Sequence, residues 1–179
     1  MSESESSDEQ APADSSIEFF ESLQQGFDYY GAPDRLLQQL VDSANGGGMG
    51  TGIPLTLYLH GATIAGYLQS EQDFLRGIAD VYREGWTNAT ADGELPEAAD
   101  EYAKSVFENR ADEADAEIEA DSRAFDEHGT KTARWVIARQ IQLKDVYYTV
   151  PGAASIRHPH ARVRMDQVVG WTLGVTTWT

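Results

Sequence analysis

The stretch Ile53-Pro-Leu-Thr-Leu-Tyr-Leu-His-Gly-Ala-Thr-Ile-Ala-Gly-Tyr-Leu-Gln69 decides the fold class. Leu55, Leu57 and Leu59 share one parity and Thr56, Tyr58 and His60 the other, the period of a half-buried strand. Gly61-Ala62 reads as the turn and Thr63–Gln69 as the returning strand. Pro54 stands at the strand's start, where no ladder donor is required. Ser70-Glu-Gln-Asp73 then opens a capped helix. Its apolar stripe is Phe74, Leu75, Ile78, Val81 and Tyr82, and it ends near Gly85.

Upstream, Pro33 at a first-turn position with Asp34 beside it opens a helix holding Leu36, Leu37, Leu40 and Val41. An earlier helix, capped by Ser16, runs through Ile17, Phe20, Leu23 (or Gln24) and Phe27 to Gly31. The glycine-rich run Asn45–Gly52 invites a phosphate-loop reading, but no lysine follows it and it comes after a helix. It reads as a hinge. Residues 1–14 are polar and acidic with no large apolar residue beyond Met1, the composition of a disordered tail.

Downstream, 14 acids and 3 bases lie between Asp92 and Glu127. From Pro96 a thin stripe of Phe107, Ala111, Ala114, Ile118 and Phe125 recurs at helical steps. Residues 87–130 are therefore expected to form a lightly packed acidic helical insertion, either a solvated face or a coiled-coil surface. A second β module follows Gly129, with Trp135, Ile137, Ile141 and Leu143 of one parity. Asp145–Val150 continues that strand through a bend, Pro151-Gly152 makes a turn, and Ala153–His160 reads as a connection. Two further strands have Val163 and Met165 facing in, then Val169, Trp171, Leu173 and Val175 alternating with Gly170, Thr172 and Gly174. The expected class is a single α+β domain over residues 15–179. It holds a strongly bent antiparallel sheet or small barrel of about 4–6 strands, with N-terminal helices.

Composition narrows the function. The chain has 179 residues, 30 acids against 13 bases, and a formal charge of −17. It has no cysteine, hence no disulfide framework, thiol nucleophile or Cys-ligated zinc. No stretch approaches the ~20 apolar residues of a membrane helix. The acidic start carries no apolar signal core, so the expected location is the cytoplasm. Only three bases are lysines, and an acidic, lysine-poor surface points to a halophilic archaeal source. The charge is uneven: residues 1–130 hold 28 acids and 6 bases, residues 131–179 hold 2 acids and 7 bases. Salt adaptation does not require that reversal, so C-terminal arginines are candidates for a binding task.

Catalytic signals are weak. His158-Pro-His160 with His60 and His128 offers metal-binding side chains, but two of them flank a proline in an expected loop. Carboxylates are too abundant to be diagnostic, and no nucleophile elbow occurs. The reading is a protein that is not an enzyme, with no cofactor and no metal. The helix and paired strands also resemble the first half of an Sm-like barrel, which implies an RNA-binding oligomer as the alternative. Arg157, Arg162 and Arg164 are the basic cluster it would use, against an opposing charge of −17.

Taken together, the two β modules resemble the gas-vesicle accessory protein U (GvpU) family. The resemblance rests on Leu55-Thr-Leu-Tyr-Leu-His-Gly-Ala-Thr-Ile-Ala-Gly66, the Ser70–Gly85 helix, Ile141-Gln-Leu-Lys-Asp145 and Val168-Val-Gly-Trp-Thr-Leu-Gly174. It spans roughly residues 33–176; the first helix and tail are extra, the loop from Gly152 to His160 differs, and Arg162 and Arg164 stand where the family often has Trp-Arg-Gly. The resemblance implies a non-enzymatic accessory protein that assists vesicle assembly or clustering through protein–protein contacts. Its partners would be shell or other accessory proteins, or further copies of itself, at the vesicle surface and not in a membrane. Candidate contact residues are Tyr58, Tyr67, Tyr147, Tyr148, Arg157, Arg162, Arg164 and Trp171; Gly61, Gly66, Gly170 and Gly174 are the structural glycines.

Overall fold

A computed structural model of the chain describes residues 34–46, 51–128 and 139–175. The expected tail over residues 1–14, the helix through Ile17 and Phe27, residues 47–50 of the hinge, and Trp135 and Ile137 lie outside these, as does the side chain of Phe125. Helix α1 (Arg35–Asn45) leads to strands β1 (Pro54–Leu59) and β2 (Ala62–Gln69) and then helix α2 (Glu71–Ala89). An unbroken helical run follows: α3 (Glu97–Ala103), a π turn (Lys104–Glu108) and α4 (Asn109–His128). Strands β3 (Gln140–Thr149), β4 (Ile156–Arg164) and β5 (Val168–Leu173) complete the described chain.

The five strands form one antiparallel sheet in the order β4-β3-β2-β1-β5. The hairpin closes as its parity demands: Leu57 stands opposite Ile64, Leu59 opposite Ala62, and Gly61 takes φ +80° in the turn. β4 and β5 occupy opposite ends of the order, yet only the 3₁₀ turn Met165–Gln167 separates them in sequence. The bend expected after Lys144 is a bulge, at which the β2–β3 register shifts between Ala65 and Tyr67. There Asp145 adopts φ +51°. Gly66 fits this site because a Cβ would meet the Lys144 carbonyl at 2.8 Å.

One face of the sheet holds the core. Leu55, Leu57, Ile64, Leu68, Ile141, Leu143, Val146, Val163 and Met165 pack with Leu37, Val41 and Ala44 of α1. Asp34 caps α1, accepting from the Leu36 and Leu37 amides at 2.9 and 3.0 Å. The helix is oriented by Leu37 and Val41, which are fully buried and contribute about 1.5–3 kcal/mol each. Leu36, one residue off that stripe, is 56 % exposed. Asn45 ties the helix end forward: its side-chain oxygen accepts from the Glu71 amide at 3.0 Å and its carbonyl from Gln72 Nε2 at 3.2 Å.

Two sequence-based boundaries move. α2 continues past Gly85 to Ala89, because at Gly85 the helix needs no special backbone and meets no neighbour. Residues 156–160, expected as a connection, belong to β4, with Pro159 inside the strand. β4 is an end strand, so the missing amide of Pro159 costs no central ladder bond.

The helical run packs on α2 by different means. Among its described side chains the buried ones are alanines (Ala99, Ala103, Ala111). Arg83 on α2 donates to Asp100 at 2.7 Å and to both oxygens of Glu108 at 2.6 and 3.0 Å. Arg76 likewise grips Asp112 at 2.8 Å and Asp115 at 2.6 Å. Tyr82, Trp86, Tyr102 and Phe107 form a ring cluster with centroids 5.4–6.4 Å apart. In it Trp86 is 44 % and Tyr102 50 % exposed.

Candidate interaction face of the sheet

The residues of opposite parity to the core form the second face. Cross-strand pairing sets Tyr58 beside Thr63, Ala65 beside Tyr147, Tyr67 beside Lys144 and Tyr147 beside Arg157. Three of the expected contact tyrosines and Arg157 therefore share a face, and Arg162, opposite Gln142, stands on it further along. Tyr58 and Tyr67 are each 38 % exposed and Tyr147 is half-buried. The Arg157 guanidinium lies 5.9 Å from the centre of the Tyr147 ring and donates to Asp145 at 3.2 Å. Rings mounted on neighbouring strands lose little side-chain freedom on contact, which is how a sheet face presents an adhesive surface.

The remaining candidates make other contacts. Arg162 turns to α2, 4.8 Å from the Phe74 ring centre and 2.6 Å from Glu71. Arg164 grips Asp166 with two N–H groups, which holds that carboxyl below its ordinary range. Trp171 stands opposite Leu57 and is half-buried against the core, as is Tyr148, opposite Ile64. Of the glycines, Gly174 takes φ +106° as β5 ends, where its amide donates to the Pro54 carbonyl at 2.8 Å. Gly170 has ordinary φ and space for a Cβ, the nearest atom being 3.8 Å away on Tyr58.

Around α2 the second face carries buried amides. Gln69 and Gln142 are 2 % exposed and Gln72 5 %. His160 packs here, with Gln69 Nε2 at 3.0 Å from its Nδ1, and burial pushes its pKa down. His60 is exposed beside the hairpin turn. Among the described residues no three His, Asp or Glu side chains are placed to hold a metal. No helix of these residues is long and apolar enough to cross a membrane. Sequence reading missed the buried glutamines, the two arginine clamps and the aromatic cluster. One signal was available for the His160 contact: Gly77 interrupts a regular amphipathic helix, where glycine costs about 1 kcal/mol.

A family model described as gas vesicle protein GvpU-like matches residues 34–176. No curated protein matches the chain, and no solved structure does. The RNA-binding alternative gains no support from these comparisons.

Proposed function

This chain belongs to the GvpU-like family of gas vesicle proteins, and on that premise we propose a non-catalytic accessory protein acting at the vesicle surface by protein–protein contact. The family match carries the reading, because it takes in both β modules and the helical run between them. Vesicle assembly or clustering is the process served, and a shell protein or another accessory protein is the partner. The face of Tyr58, Tyr67 and Tyr147 beside Arg157 supplies the contact, since aromatic rings and arginine dominate contact energies. The acidic insertion, from residue 87 to 130, stays hydrated in the salt-rich cytoplasm of a halophile.

The same reading takes the sheet as strongly bent, approaching a small barrel. Four Cα steps join Arg164 to Val168, a reach of at most about 14 Å. The outer strands of a flat five-stranded sheet stand about 19 Å apart. Register shifts at Tyr58/Leu59 and at Ala65/Tyr67 support the bend, because bulges sharpen local twist.

Flotation tests the functional reading. Purified chain mixed with isolated gas vesicles in molar salt is expected to rise with the buoyant layer. Recovery of all the protein from the liquid beneath would contradict surface contact.

A further inference from the structure

We propose that His160 is a pH-sensitive latch that docks α2, and the helical run clamped to it, on the sheet. Its imidazole lies between β4 and α2 against the backbone at Gly77, where a Cβ would fall on the ring. Phe74 meets it edge-on, with centroids 6.3 Å apart. The hydrogen bonding specifies one protonation state. Gln69 Nε2 donates to the Leu143 carbonyl at 3.0 Å, which fixes the amide's orientation, since a flipped amide would set oxygen against oxygen. The second N–H of the same nitrogen then points to His160 Nδ1 at 3.0 Å. Nδ1 must accept, so the docked ring is neutral with its proton on Nε2. A second proton on Nδ1 sets donor against donor in a partly dry contact and removes a bond to a 2 % exposed amide.

The charged surroundings come from three elements. On β3, Lys144 stands opposite His160, and Asp145 follows it. On α2 there are Asp80, Glu71 bound to Arg162, and Arg76 bound to Asp112 and Asp115. On β4, Arg162 is two residues away. Asp145 and Asp80 favour a proton on the ring and Lys144 opposes it; burial outweighs the acids, leaving His160 below its ordinary 6.5. A group whose pKa is lowered by docking contributes full docking strength above the undocked value. That contribution is lost as pH falls below about 6.5 and stops changing once the docked value is passed.

Hydrogen exchange of the full chain in high salt, corrected for intrinsic rates, reads the latch. Protection of α2 is expected to fall by up to tenfold per pH unit below about pH 6.5, while β1, β2 and β3 keep theirs. His160→Asn retains an oxygen acceptor for Gln69 without the titrating ring, so its α2 protection is expected to stay constant over the same range. Gln69→Glu offers a carboxylate to the protonated ring and is expected to move the His160 titration, followed by NMR at the imidazole Cε1–H, to higher pH. Unchanged wild-type α2 protection overturns the latch, as does an equal loss in His160→Asn. Should His160→Asn not fold, a wild-type ring titrating at or above the unperturbed value, or unmoved by Gln69→Glu, overturns it as well.

Discussion

The sheet with α1 and the helical pair of α2 with the 97–128 run are held together by different physics. The first buries leucine, isoleucine and valine on one face, with Leu55, Leu57, Leu68, Ile141 and Leu143 fully enclosed. The second buries alanines where its helices meet, with Phe74 turned to His160 and Arg162 of the sheet, and depends on two arginines that each hold two carboxylates. Apolar burial scales with area and is little affected by charge, whereas partly exposed ion pairs weaken with salt and acid. The sheet is thus the rigid platform, and the helical pair is the part whose packing conditions adjust.

The largest expected effect lies in the platform. Leu57 is fully buried between Ile64 and Trp171 on neighbouring strands. Leu57→Ala is expected to cost about 2–5 kcal/mol in denaturant unfolding, and a loss below about 1 kcal/mol would mean the core is looser than its burial implies. Lowering the salt acts next and on the other region. Residues 97–128 carry 12 acids against Lys104, Arg110 and Arg123 of their own, and among the described residues Arg76 and Arg83 of α2 pair with them. Repulsion among the surplus acids outweighs the strengthened pairs when screening is removed. Hydrogen exchange in dilute buffer is therefore expected to rise first in the helical run; an unchanged, fully folded protein would contradict both this ranking and the halophilic reading.

The smallest effect is acid-dependent. Arg83 holds Glu108 below its ordinary 4.5, and Lys104 first, then Arg83, hold Asp100 below 3.8. Carboxylates lowered by folding stabilise above their unfolded values, so this contribution disappears as pH falls through the range below about 4.5. Arg83→Gln is expected to flatten that acid dependence in the helical run without altering the sheet. An acid profile identical to wild type would remove Arg83 from the packing.

Much of this contrast was legible in residues. The parity of Leu55, Leu57 and Leu59 and the glycine after His60 sufficed for the hairpin, because side-chain alternation and turn chemistry are local properties. The thin alanine stripe announced a helix with little apolar surface to bury. Pro159 concealed the start of β4, since its tolerance depends on that strand standing at the sheet's end, a tertiary fact. The candidate tyrosines were recognisable by type, but only the register shows that Tyr58, Tyr67 and Tyr147 share a face while Trp171 turns to the core. The Arg83 clamp and the Gln69–His160 pair join residues 17 to 91 positions apart, a distance no local pattern spans.

Flotation with variants of each region tests most directly that the sheet face, and not the helical pair, meets the vesicle. Tyr58→Ser with Tyr67→Ser is expected to leave the folded protein beneath the buoyant layer, while Trp86→Ser with Tyr102→Ser is expected to float as wild type does. Flotation of the face variant together with loss of the helical variant would contradict the account.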